Sequence, residues 1–174
     1  MPNSPLVMNW LSTAYSASRD MASAERIALV NYERNPDYLF ARLNHAQFCL
    51  LNGRLDEIPI IFGDNFDLKL LYPHRNKFHI SEFIGFSAVM IEYFIRIGDL
   101  EQAEIRYQML EQIAPDAPAT KKLGQLLTTS HLLSTIRKMM HFPRRRKRIR
   151  SANSVPPPQL NSKSPTSAPE IESP

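Results

Sequence analysis

The 174-residue chain predicts an all-α protein with a polar tail. Apolar residues recur at helical spacing through most of residues 5–141, helix-start and helix-stop signals bracket those runs, and strand-like alternation is nearly absent.

Ser4-Pro5 places an N-cap before a proline at the first helical position, and Leu6, Val7, Trp10, Leu11, Ala14 and Tyr15 follow with helical periodicity. Asp20 caps a second helix carrying Met21, Ala24, Ile27, Ala28 and Val30, which stops at Asn35-Pro36 because the residue before proline disfavours αR. A third helix is expected from about Asp37 to Leu51, with Asn52-Gly53 as its stop. Arg54 to Phe62 reads as a short helix with Pro59 in its first turn, against the β-branched run that argues for strand. Residues 63–77 show the least regular pattern. Ser81 starts a strongly apolar helix that ends at Gly98. Asp99 with Gln102 resembles a capping box for the next helix, which runs to Ile113 and stops before Ala114-Pro115. Finally, Pro118 to His141 reads as an amphipathic helix carrying Leu123, Leu126, Leu127, Leu132, Leu133, Ile136 and Met140, with no hairpin partner of its own, and is expected to cap the fold.

Length and 43% hydrophobic content suffice for one compact domain, expected over residues 1–142. Those residues carry 14 Lys and Arg against 15 Asp and Glu. The positive net charge comes instead from residues 143–150, where Arg144, Arg145, Arg146, Lys147, Arg148 and Arg150 form one basic segment. Residues 151–174 hold 6 Pro and 6 Ser and too few large apolar groups to offset the entropy of ordering, so a disordered tail is expected. Cys49 is the only cysteine and has no intramolecular disulfide partner, the first residues lack a signal-peptide pattern, and charged residues interrupt every apolar stretch before it reaches membrane-span length. A cytoplasmic setting is expected.

The turns Asp20-Met21-Ala22-Ser23-Ala24, Gly53-Arg54-Leu55-Asp56-Glu57-Ile58 and Gly98-Asp99-Leu100-Glu101-Gln102-Ala103 repeat one local pattern after each first helix. With them, the chain resembles the tetratricopeptide family, whose unit is a helix-turn-helix of about 34 residues. Met90, Phe94, Gly98, Ala103, Tyr107 and Pro115 match its spacing best; Leu11, Tyr15, Ala24 and Pro36 form a first unit, and Ala46, Gly53 and Phe62 a second. From Ala24 to Ile58 the spacing is 34 residues and from Ile58 to Ala103 it is 45, so about eleven extra residues separate the second and third units. The resemblance implies a short stack of antiparallel helix hairpins in which small residues allow close approach and aromatic residues fill the space between helices. It also implies an inner face formed by first helices, with Asn9, Thr13, Gln47, Glu92 and Arg96 as contacts for a protein or peptide partner. Family members that clamp a chaperone's terminal carboxylate use a Lys, Asn and Arg set; Asn44 alone answers to it, so that ligand is not expected.

His74, His79 and Glu82 lie close in sequence, but two or three ligands without a fourth do not define a metal site, and surface histidines in a loop are the preferred reading. Cys49 falls where a packing residue belongs and reads as a buried, inert thiol. No phosphate loop, dinucleotide fingerprint or paired zinc-ligand motif occurs, so neither catalysis, a cofactor nor a small-molecule substrate is expected. Two functions are preferred over a third, an enzyme using a metal held by the His74 to Glu82 segment. One is a protein-interaction scaffold; the other is a binder of nucleic acid or an anionic membrane surface acting through Arg144 to Arg150 by charge alone. Leu6 and Trp10 are expected to face solvent unless a second copy of the chain covers them.

Overall fold

The computed structural model describes residues 4–63 and 66–140; the predicted basic segment 143–150 and tail 151–174 lie outside the described residues. Eight helices and no strand occur among the described residues: α1 (Pro5–Ala17), α2 (Met21–Arg34), α3 (Leu39–Leu51), α4 (Glu57–Phe62), α5 (Leu68–Leu71), α6 (Ile80–Ile97), α7 (Leu100–Ile113) and α8 (Pro118–Met140). None of them is long and apolar enough to cross a membrane.

Local signals start most of these helices as expected. Asp20 accepts from the Ser23 amide at 3.0 Å, and Asp99 accepts from the Gln102 amide at 3.1 Å. The expected capping box at Asp99 is half formed, because the Gln102 side chain turns away to accept from Arg106 Nη1 at 2.6 Å. Ser4 occupies the N-cap of α1 without a side-chain bond, leaving the fixed φ of Pro5 to start the helix. α3 begins at Leu39 rather than Asp37, since Pro36-Asp37 is spent in a turn closed by the Tyr38 amide on the Asn35 carbonyl at 3.0 Å.

The three hairpin turns share one hydrogen-bond pattern. The amides of Asp20, Arg54 and Asp99 each reach back five residues, to the carbonyls of Tyr15, Cys49 and Phe94, at 2.9 Å in every case. The preceding amides of Arg19, Gly53 and Gly98 bond the carbonyls of Ser16, Leu50 and Ile95, each at 3.1 Å. This double closure requires a left-handed residue, and φ is 66° at Arg19, 72° at Gly53 and 84° at Gly98. Arg19 thus holds a conformation that costs an L side chain about 1 kcal/mol or more and that glycine adopts freely.

α1 packs on α2 and both pack on α3; α3 packs on α4 and α6, α6 on α7, and α8 on both α6 and α7. The largest fully buried side chains, among them Phe62, Leu50, Ile58, Met90, Ile91 and Leu110, centre the core on α3, α4, α6 and α7. Ala24, Ala46 and Ala103, the small residues of the repeated pattern, are fully buried. Burial resolves the ambiguity at residues 54–62: Ile58, Ile61 and Phe62 insert into the core from a six-residue helix, and tertiary packing overrides the β preference of the run. Gly85 serves close approach, since a Cβ there would lie 3.0 Å from Leu43 Cδ1.

The amino-terminal expectation agrees with the structure, in which Leu6 and Trp10 are exposed. α8 departs from the sequence reading. Leu123 and Leu127 are buried with Thr120, whereas Leu132, Leu133, Ile136 and Met140 are exposed, at 60%, 61%, 42% and 73%. The reason is length. At about 1.5 Å per residue, 23-residue α8 outruns 14-residue α7 by roughly 13 Å, so its last turns lack a full partner.

Candidate functional site

Three places concentrate chemistry-bearing side chains. The first is the set expected on the inner face. Asn9 is bridged to α3 by the Asn44 side-chain amide, and the Thr13 hydroxyl, one turn further along α1, donates to the Asn9 carbonyl at 3.0 Å. Gln47 Nε2 donates across to Glu92 Oε2 at 3.3 Å, and Arg96 donates to Glu92 Oε1 through Nε at 3.1 Å and Nη2 at 2.7 Å. The structure therefore joins Gln47, Glu92 and Arg96 into one network across α3 and α6. It keeps Asn9 and Thr13 in a second network between α1 and α3. Each of the five residues thus has at least one hydrogen bond within these two networks.

The second place is made by the extra residues between the second and third hairpins. Asp67 caps one-turn α5 by accepting from the Lys69 and Leu70 amides at 2.7 and 3.2 Å. This fixes Phe66 against Tyr93 and Phe94, with ring centroids 5.6 Å apart in both pairs. Between this segment, α6 and α7 lies an open pocket of about 300 Å³. Phe66, Leu68, Phe78, Phe83, Phe86 and Met90 supply its apolar wall, and Ile105 and Met109, both about half exposed, form its α7 side. The Arg106 guanidinium stands in the wall 4.5 Å over the Phe94 ring and donates to the Phe66 carbonyl at 3.2 Å. Burial lowers its pKa from the ordinary value, with Asp67 and Asp99 opposing that shift. Arg106 has no ion-pair partner among the described residues.

The third place was not foreseen. His45 and Cys49, four residues apart on one face of α3, meet Glu57 from the start of α4. The Cys49 thiol donates to Glu57 Oε2 at 3.2 Å, and His45 Nε2 lies 3.7 Å from Sγ and 3.8 Å from Oε2. His45 and Cys49 are buried. Burial, and then the hydrogen bond to Glu57, push the thiol up to about 12, and burial depresses the imidazole below its ordinary value. Glu57 is held below the usual carboxylate range, first by the bond from Cys49 and then by Arg54. The shift favours the protonated thiol at neutral pH, and Cys49 is buried where the sequence reading placed a packing residue. The i,i+4 spacing of His45 and Cys49 was the available sequence signal; Glu57 carried none, because its approach depends on how α4 folds back.

The segment weighed for metal binding is built for another purpose. His79 Nδ1 accepts from the Ser81 amide at 3.2 Å while Glu82 accepts from the His79 amide at 2.8 Å, a reciprocal cap on α6. Arg75 grips both Glu82 oxygens at 2.9 and 2.8 Å and holds the carboxyl below its usual range. His74 is exposed and stands outside this cap. Comparison of the chain with protein-family models, with curated proteins and with solved structures finds no match in any of the three.

Proposed function

We infer that the protein is an interaction scaffold of tetratricopeptide-like helix hairpins, and that it grips an apolar side chain of a protein partner in the pocket between residues 66–78, α6 and α7. The observation that carries this reading is the pocket itself, an open, aromatic-walled cavity of about 300 Å³ with one guanidinium in its wall. The thrice-repeated turn geometry supports the repeat architecture, and the extra residues that interrupt the repeat supply one side of the pocket.

Magnitudes favour the pocket over the polar face. Burying one Leu or Phe side chain of a partner is worth about 1.5–3 kcal/mol. The Glu92–Arg96 pair, by contrast, would have to exchange existing hydrogen bonds for new ones, and exposed pairs contribute about 0–1 kcal/mol. Asn9, Thr13, Gln47, Glu92 and Arg96 then act as a secondary contact surface. Arg106 favours an acidic residue beside the partner's apolar anchor.

Selection of peptides from a random displayed library tests this. The expected peptides carry one large apolar residue flanked by Asp or Glu, lose at least tenfold in affinity against Met109→Glu, and bind equally to a chain ending at residue 142. Peptides that ignore Met109→Glu would move the site to the polar face, where Arg96→Ala is the next variant. Binding that vanishes with residues 143–174 and falls steeply with salt would instead establish the charge-driven reading through Arg144 to Arg150.

A further inference from the structure

We propose that His45, Cys49 and Glu57 hold one divalent transition-metal ion of the zinc class, which ties α3 to α4. This site is separate from the partner pocket and does not rest on the scaffold reading. At bond lengths of about 2.0–2.3 Å, a tetrahedral ion sets its ligand atoms roughly 3.3–3.6 Å apart. The three ligand atoms here are separated by 3.2, 3.7 and 3.8 Å, so adjustments of a few tenths of an ångström bring all of them into bonding range of a single point. One sulfur, one imidazole nitrogen and one carboxylate oxygen suit zinc and its neighbours, whereas calcium and magnesium take oxygen ligands.

The state of His45 is the second observation. Its side chain is 6% exposed, Nδ1 has no hydrogen-bond partner, and Nε2 has only the thiol and the Glu57 oxygen, at 3.7 and 3.8 Å. In the tautomer protonated at Nδ1, the Nε2 lone pair faces Cys49 and Glu57 without a normal N/O hydrogen bond, and a partner there offsets part of the cost of burying the ring. A metal ion is that partner.

Glu57 has outer partners of the kind that metal ligands have, whereas His45 Nδ1 has none and the ring is held by stacking alone. Tyr32 stacks on the His45 ring at 5.0 Å with an interplanar angle of 15° and fixes its plane. Arg54 Nη1 holds both Glu57 oxygens at 3.1 and 3.2 Å, and Arg54 is itself held by Glu25, whose carboxylate also accepts from Asn52 at 3.0 Å. Formal charge balances too. Glu25, Arg54 and Glu57 together leave one negative charge. Binding breaks the Cys49 S–H bond, forms the sulfur–metal bond and releases the proton to solvent, which adds one positive charge and neutralises the cluster. A water completes the shell from the side of Glu57, whose side chain is 33% exposed.

The test uses the full, untagged chain, stripped with a chelator and refilled with Zn²⁺ or Co²⁺. The expected results are one bound ion per chain, a higher melting temperature with Zn²⁺, and a Co²⁺ spectrum with a thiolate charge-transfer band and the intense visible bands of four-coordinate cobalt. Cys49→Ala should abolish stoichiometric binding and the charge-transfer band, and Glu57→Gln should weaken binding at least tenfold. The Glu57 side chain is partly exposed, so that variant serves if Cys49→Ala fails to fold. A wild-type chain that retains no more ion than Cys49→Ala or Glu57→Gln, or a Co²⁺ spectrum without the sulfur band, would overturn the proposal.

Discussion

The amino-terminal and carboxy-terminal hairpins share a turn and differ in what holds them. α6 and α7 bury Phe86, Met90, Ile91, Phe94, Ala103 and Leu110 in the large core with α3 and α4. The α1/α2 pair buries Met8, Ala24 and Ala28 and turns Trp10, Leu11 and Met21 to solvent. Its buried polar groups are individually satisfied: the Ser12 hydroxyl donates to the Ala24 carbonyl at 2.9 Å, and Asn31 Nδ2 donates to the Pro5 carbonyl at 3.0 Å while its Oδ1 accepts from Asn35. The same backbone device can therefore close a hairpin glued by area and one located by a few hydrogen bonds. The first is expected to open only with global unfolding, the second by local opening.

The largest effect expected is in the shared core. Phe62→Ala removes a fully buried ring that meets Phe86 edge-on at 5.6 Å, and should cost about 3–5 kcal/mol in urea unfolding as a single cooperative loss. Asn31→Ala should cost about 1–3 kcal/mol, because the bond to the Pro5 carbonyl and the partner of Asn35 both disappear. In hydrogen exchange the loss should show as faster exchange in α1 and α2 with α6 unchanged; uniform acceleration would mean that the two hairpins are one cooperative unit.

Smaller effects sharpen the comparison at the start of α6. The folded-state pKa of Glu82 is depressed, so its contribution is fully present above the ordinary carboxylate pKa and is lost as pH falls through that value toward the folded one. Glu82→Gln should destabilise by about 1 kcal/mol at pH 7 and should flatten the acid side of the stability profile. An unchanged acid limb would show that the Arg75 grip adds little. Smallest is Arg19→Gly, which relieves the left-handed side chain in the first turn and should stabilise by about 0.5–1 kcal/mol, visible as slower exchange in α1 and α2. A loss of stability there would mean that the Arg19 side chain contributes more than its backbone costs.

Much of this structure was legible in local chemistry. Asp20 and Asp99 act as caps where they were expected, Gly53 and Gly98 stop their helices, and α6 runs over the apolar stretch predicted for it, because caps and periodicity depend only on neighbours along the chain. Three outcomes were decided elsewhere. Arg19 stands where the other turns have glycine, so no turn residue announced it; the hairpin closure around it imposes the conformation. Residues 66–78 carry weak local signals, and their order comes from Phe66 and Phe78 finding a surface on α6 and α7 that exists only after those helices pair. Glu57 reaches His45 and Cys49 because α4 folds back along α3, a contact across eight to twelve residues that no periodicity encodes. By itself the sequence determined where α2, α6 and α7 begin and end to within a residue, since those choices are made within one turn. Tertiary structure alone decided which side chains share the pocket and the buried cluster, since that depends on how the apolar faces of separate helices exclude water together.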